Sequence, residues 1–511
     1  MSVSTPFGDF GAPPDAMAWG ALVLAVAAFV AASSPAFARR LASVPPRLLV
    51  AALAVFAAAV SYAYVVVYLR GGPRIIDATT YYLQARALAE GHVTFDVPSP
   101  TASFRGRFLL AAADGHSLAG IFPPGYPALL ALGFVAGAPL LVGPALAALL
   151  VVVTYALALR LFDDRRLALL AGALSAACGV LRYHTADTMS HGLAAALFAV
   201  TLYSAAGRTL RGIFAAGLCA GWLVATRPVT GAVGCVLCAA IAREPRRVAL
   251  LAVGALGPVL LLLVEQHAAT RAWFTSSQTA YYALADGPPG CFRYGFGSGV
   301  GCVFEHGDFV RAHLMNGYGW LAAAGTTLRR LKMHLADAGN TELVAPLLVY
   351  GLVEAWRESR ARSLVFAILG TAFVYVPFYF DGNYPGGGAR FYADVLPFEH
   401  VLVAFALVRL GLCRLALPVV FAGFALHTVY DHLRLAEREG GRPLFEPDVL
   451  RRAGVTRGLV LVDTDHGFGI GFDPASTDPR AGVVVARKRG DAHDALLWAR
   501  LGRPQVFGYA S

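Results

Sequence analysis

The chain has 511 residues, 57% of them hydrophobic and only 14% charged, where a soluble domain carries roughly 25% charged residues. The apolar residues gather in runs of bilayer-spanning length, about 20 residues each, which excludes a soluble globular chain and describes a polytopic membrane protein. The formal net charge of +10 requires no nucleic-acid partner, because the arginines sit in short clusters between apolar runs, where the positive-inside rule places them.

In chain order, the stretch from Met1 to Ala16 has no basic residue and so lacks the charged leader of a secretory signal. The expected spans are 16–36, 48–69, 143–162, 167–181, 192–206, 212–226, 230–242, 248–264, 343–356, 363–380, 395–410 and 415–430, about twelve crossings. Residues 123–141 are apolar too, and they decide the topology. If they lie in the interface, the clusters at Arg39-Arg40, Arg165-Arg166, Arg208 with Arg211, Arg243 to Arg247, Arg357 to Arg362 and Arg414 all share one side. If they cross, Arg39-Arg40 falls opposite. Positive-inside favours the interfacial placement. Both termini and the loops 70–142 and 265–341 then face outward. Residues 1–430 form the transmembrane domain. From Asp431 the composition changes: Gly458 to Asp463 and Ala481 to Ala486 read as buried strands and Asp491 to Leu501 as a helix, a small external α/β domain over 431–511.

The polar residues fall in a few places. Asp77, in Asp77-Ala-Thr-Thr-Tyr81, stands at the outer mouth of a span and just before a helix. Capping that helix is one role for it. Accepting a proton in a partly desolvated cleft is the other. A second segment, Phe122-Pro-Pro-Gly-Tyr-Pro127, follows in the same loop. In Arg182-Tyr-His184-Thr-Ala-Asp187-Thr-Met-Ser-His191 one helix face could carry His184, Asp187 and His191, and a divalent metal could use them; the alternative is a polar cap on a helix hairpin. Gly386-Gly-Gly-Ala-Arg390-Phe-Tyr392-Ala-Asp394 holds three glycines that would let backbone approach a ligand. There, Arg390 could pair with Asp394 at i, i+4. Glu399-His400, one turn further, are ionisable at membrane depth and are expected to face the cavity. Five of the seven cysteines lie in or beside apolar runs; Cys291 and Cys302 share one polar loop and could bridge in an oxidising compartment. Asp463-Thr-Asp465-His466 follows a strand and could bind a metal or a sugar hydroxyl, or be a solvated loop.

The segments around Asp77, Phe122 to Pro127 and Arg390, with the hydropathy of residues 48–410, resemble the GT-C superfamily, polytopic glycosyltransferases such as protein O-mannosyltransferases and lipid A aminoarabinose transferases. The resemblance implies an α-helical polytopic GT-C-like fold with interfacial helices in the first outer loop. It implies an enzyme of the cytoplasmic (inner) membrane with its site facing the periplasm or exterior. Such an enzyme moves a hexosyl or pentosyl unit, with inversion, from a polyprenyl-phosphate carrier to an envelope lipid, glycan or protein. Its partners would be that donor, membrane lipids and an envelope acceptor, with a divalent metal as the one cofactor to consider. Asp77 occupies the position of the catalytic carboxylate, although Ala78 stands where many relatives carry a second acid, and Asp187 matches a second conserved acid. A donor phosphate needs fixed, fork-shaped positive charge, and the outer-face candidates are Arg74, Arg86, Arg105, Arg107, Arg227, Arg293 and above all Arg390, with Tyr392 beside it. A lipid or small-molecule transporter or flippase is the competing class. It predicts short loops and a polar site at mid-membrane, against the long outer loops here. A membrane assembly protein without catalysis would leave Asp77 with no role.

Overall fold

The computed structural model describes residues 3–5, 8–10, 14–73, 75–284, 290–437, 448–463 and 482–509. Each of the twelve apolar segments falls on a helix. Among the described residues, five helices are long and apolar enough to cross a bilayer alone: Ala16–Ser33, Pro46–Val67, Pro139–Phe162, Pro245–Thr270 and Cys413–Leu435. A sixth span counts if Arg165–Ala177 and Gly179–Ala186, bent by 58°, act as one. The others are shorter. Leu396–Arg409 has 14 residues, about 21 Å of rise against roughly 30 Å of hydrocarbon. It is nonetheless the hub of the bundle: Leu396 to Leu407 are all buried, and its side chains anchor the largest apolar cluster. The helix Gly125–Val135, with 11 residues, rises about 16 Å, half of what a crossing needs.

Small residues let the helices approach. A Cβ on Gly217 would lie 2.1 Å from the Leu251 carbonyl oxygen, and one on Gly221 2.6 Å from Ala255. Leu210–Thr226 and Pro245–Thr270 therefore pack backbone to backbone, the usual solution where lipid offers no hydrophobic drive between helices.

Residues 70–142 fold into the Ile76–Ala89 helix, an antiparallel sheet of Phe95–Asp96, Ser117–Gly120 and Leu109–Ala111, and the Gly125–Val135 helix. The terminal segment forms a parallel sheet with Gly458–Val462 between Val483–Arg487 and Val506–Tyr509, crossed by the Asp491–Arg500 helix. Among the described residues its strands do not close a core by themselves. Leu459, Val460 and Val484 share one apolar cluster with Leu83, Phe95, Phe104 and Leu118 of the first outer loop. Arg489 adds hydrogen bonds from Nε to the Ala102 carbonyl (2.8 Å) and from Nη2 to the Arg105 carbonyl (2.7 Å). A short hairpin, Val3–Thr5 with Gly8–Phe10, precedes the first helix. Arg74, and Thr464 to His466 of the strand-end cluster, lie outside the described residues.

Candidate active site

The two outer loops and the outer ends of several helices enclose a cavity of about 650 Å³. Asp77, Arg227 and Arg390, drawn from positions spread over more than 300 residues, all line it.

Asp77 sits in the first turn of its helix, not before it. The helix begins at Ile76, the cap position is Ile75, and no side chain caps it. The expectation of an Asp77 cap therefore fails by two positions. Among the described residues its carboxylate has no hydrogen-bond or ion-pair partner, and it is only half-buried. The helix is fixed against the Phe122-Pro-Pro segment. The Tyr81 ring stacks on Phe122 at 4.5 Å, and Gln84 Nε2 donates to the Phe122 carbonyl at 2.8 Å. A Cβ on Gly120 would collide with the Gln84 side chain at 2.3 Å, so glycine is needed for that contact.

Arg390 does not pair with Asp394. Asp394 is fully buried and accepts from Arg227 Nε at 2.8 Å and Thr230 Oγ1 at 2.7 Å. Arg227 is thus locked, with Nη2 donating to the Tyr375 hydroxyl at 2.8 Å and Nη1 standing 3.4 Å from His191 Nε2. The Arg390 guanidinium lies 5.4 Å from the Phe391 centroid and 6.0 Å from that of Phe380, with a buried Nε that has no hydrogen-bond partner. Among the described residues no carboxylate neutralises it. The glycines before it serve the protein's own packing and not a ligand: a Cβ on Gly387 would meet Tyr183 and His184 at 3.1 and 3.3 Å, and one on Gly388, at φ +52°, would lie 2.2 Å from Asp337 Oδ1.

The His184, Asp187 and His191 face does not form, because the helix breaks. Gly179–Ala186 ends at Asp187, whose backbone is extended (φ −74°, ψ 144°), and the next helix begins at His191. Asp187 is buried, bonded to the Tyr183 hydroxyl (2.9 Å) and the Thr188 N–H (2.9 Å), and lies behind Ala78, whose carbonyl accepts from Thr188 Oγ1 at 3.1 Å. His184 Nε2 is engaged by the Gly387 carbonyl at 2.9 Å. Of the three, only His191 lines the cavity. Among the described residues no group of three or more His, Cys, Asp or Glu side chains could hold a metal ion, so these residues do not fit the metal that the sequence suggested.

Of the other sequence candidates, Arg107 and Arg293 line the cavity and the rest lie elsewhere. Arg86 is 3.4 Å from Glu90 on the same helix, away from the cavity. Tyr392 is buried against His334, centroids 5.3 Å apart. Arg293 is an exposed part of the cavity rim, and the Arg105 carbonyl accepts from Arg489. Glu399 and His400 do not face the cavity; both are fully buried, and Glu399 Oε1 pairs with His334 Nε2 at 2.8 Å. Cys291 and Cys302 are disulfide-bonded, and the Val303–His313 helix starts at once behind them.

That helix supplies groups that no sequence pattern marked. Glu305 pairs with Arg107 across the two loops, and both line the cavity. His306 stacks on Phe380 at 3.7 Å and shares a 2.8 Å hydrogen bond between Nδ1 and the Tyr379 hydroxyl. Burial, helped by the nearby Arg390 and Arg107 charges, pushes its pKa down to about 3. It is a neutral hydrogen-bonding group at physiological pH. Arg330, fully buried, donates to the carbonyls of Tyr375, Phe378 and Phe380 at 2.5–2.6 Å and so shapes the segment before Arg390. Nothing in a linear reading distinguishes these from solvated loop charges.

Neither a protein-family model nor a curated protein sequence matches the chain. Among solved structures, the fold is similar to ArnT from Cupriavidus metallidurans in the apo state (TM-score 0.47, 14% identity, 88% of this chain and 88% of that one). The same protein bound to undecaprenyl phosphate gives a TM-score of 0.48 at 15% identity, over 84% of this chain and 88% of that one. The Archaeoglobus fulgidus oligosaccharyltransferase in the apo form gives 0.42 at 11% identity over 82% of this chain. The chain spans less than two thirds of that enzyme, 63% of its length. ArnT and this oligosaccharyltransferase are both GT-C superfamily members.

Proposed function

We propose that this chain is a membrane glycosyltransferase that moves a sugar from a polyprenyl-phosphate carrier to an acceptor at the outer face of the cytoplasmic membrane. The observation that carries it is the pairing of two uncompensated charges in one cavity: the Asp77 carboxylate on one wall and the Arg390 guanidinium on another. An ion held away from bulk water without a partner is costly, and a bound ligand that supplies the counter-charge offsets that cost. Arg390 suits a phosphate, which its fork can grip through two parallel bonds. Asp77 suits a hydroxyl that must lose its proton.

The reaction is a single displacement. The acceptor hydroxyl gives its proton to Asp77 as its oxygen bonds to the anomeric carbon. The bond from that carbon to the phosphate oxygen breaks, and the electron pair leaves with the lipid phosphate, whose charge Arg390 and Arg227 stabilise. One displacement inverts the anomeric carbon. Arg227 is held in place by Asp394 and Tyr375 before any ligand arrives, so little reorganisation is needed as charge develops. Twelve crossings, with both termini outward, complete the proposal.

The test is turnover of a polyprenyl-phosphate sugar by purified protein and its Asp77→Asn variant. Because Asp77 caps nothing, Asn should leave the melting temperature near the parent's. It should lower turnover by about 10²-fold or more, the range of lost general-base catalysis. Parental turnover by the variant would remove Asp77 from the chemistry. Binding and transbilayer movement of the donor without sugar transfer, even by the parent, would favour the transporter.

A further inference from the structure

The helix Trp320–Asp337 is built inside out. Its protein-facing stripe is Ala323, Thr326, Arg330, His334 and Asp337, spaced as one helical face, and all five are buried. Four of the five are polar, and each hydrogen-bonds to protein on the inside. Thr326 Oγ1 donates to the Tyr379 carbonyl at 3.4 Å, Arg330 to three carbonyls, and His334 is bonded to both Asp337 (2.9 Å) and Glu399 (2.8 Å). The opposite stripe is Leu321, Leu328, Leu331 and Leu335, which are 92%, 66%, 42% and 46% exposed. A surface helix in water carries the reverse pattern, apolar inside and polar outside.

We propose that this helix lies in the outer leaflet of the bilayer, its leucine face against acyl chains, and not in the aqueous loop that hydropathy assigns to residues 265–341. Two further observations favour lipid over a protein partner. The next exposed apolar residues along the chain, Leu343, Val349 and Val353, 75%, 59% and 51% exposed, lie on or just before the Ala345–Arg357 helix, an expected span. The one ionised side chain exposed among the leucines is Lys332, whose long stem can carry its ammonium to the headgroups. The helix does not cross. The span after it ends at the 357–362 arginine cluster, so both ends of Trp320–Asp337 stay on the outer side. Its charged residues explain why a hydropathy window misses it: arginine and histidine lower the average although they point into protein.

One consequence rests on the function proposed above; the placement itself does not. Asp337 Oδ2 accepts from the Ala389 N–H at 3.0 Å, so only this helix separates the acyl region from the strand that presents Arg390. A lipid-linked donor needs that adjacency.

Spin labels on Leu328→Cys and Leu335→Cys in phosphatidylcholine nanodiscs test the placement, with the labelled parent as background. Val349→Cys is the lipid reference and Ser298→Cys, in the exposed part of the loop, the aqueous one. Oxygen should collide with the Leu328 and Leu335 labels several-fold more often than a water-soluble nickel complex does, matching Val349. Collision profiles matching Ser298 would overturn the proposal, and so would labels shielded from both reagents, which would reveal a protein partner or second copy. A Val349 label in water would remove the membrane assignment and this proposal together. Failure to detect sugar transfer would bear on the proposed function alone.

Discussion

Arg390 and Asp394 stand four residues apart, the spacing of a helical ion pair, yet they part company. The chain turns between them, Asp394 is taken by Arg227 and Thr230, and Arg390 is left to the cavity. Arg390→Lys should therefore raise the donor KM by an order of magnitude or so while melting stays parental, because lysine keeps the charge but loses the second parallel bond. Donor titration of both proteins checks it; an unchanged KM would make Arg390 structural. His306 gives a pH prediction. Its folded pKa of about 3 lies below the ordinary 6.5, so between those values the unfolded chain binds more protons and stability rises with pH. The contribution is complete above pH 6.5 and is lost as pH falls toward 3. Melting temperature against pH should fall less steeply over that window in His306→Gln than in the parent. Equal slopes would show that another group carries the acid sensitivity.

Elements set these residues in place by docking on one another, and the terminal α/β unit is the clearest case. Phe104 is fully buried between the first outer loop and the terminal strands, a contact of about 2–3 kcal/mol on burial of an aromatic side chain. Arg489 pins the carbonyls of Ala102 and Arg105 just before Arg107, which reaches across to Glu305 in the cavity. Arg489→Ala should speed amide hydrogen exchange over residues 101–107 and leave the membrane helices unchanged, with Arg489→Lys intermediate. Unaltered exchange over that segment would mean that the apolar cluster alone holds it. The same docking explains a shift at the other end of the site. The Ile76–Ala89 helix begins before Asp77 because Tyr81 and Gln84 are fastened to the Phe122 segment, and the acid enters the first turn instead of capping it.

For the molecule as a whole, the arginine clusters on one side of the bundle predict that Gly8 and the loops around Arg105 and Ser298 face outward. Cysteines placed at Gly8 and Ser298 should react with an impermeant maleimide in intact cells; protection until lysis would invert the topology. Hydropathy placed twelve apolar runs, and each falls on a helix, because burying a backbone in lipid forces an apolar run into a helix whatever surrounds it. The short motifs that resemble a known family singled out Asp77 and Arg390, although spacing alone also offered each a local role, a cap and an i, i+4 pair. What the sequence could not decide was partnership. A carboxylate or guanidinium is free or quenched according to which distant group lies within hydrogen-bond reach, and sequence spacing does not encode that. So the Arg390–Asp394 pair, the His184–Asp187–His191 face and the Asp77 cap, all sound local expectations, gave way to Arg227 from 167 residues away, to a break at Asp187, and to a helix started early by packing. Glu305 and His306 came to line the cavity for the same reason. Only the closed fold brings the second outer loop over the first, and only there does a polar helix stripe turn inward and leave its leucines facing out.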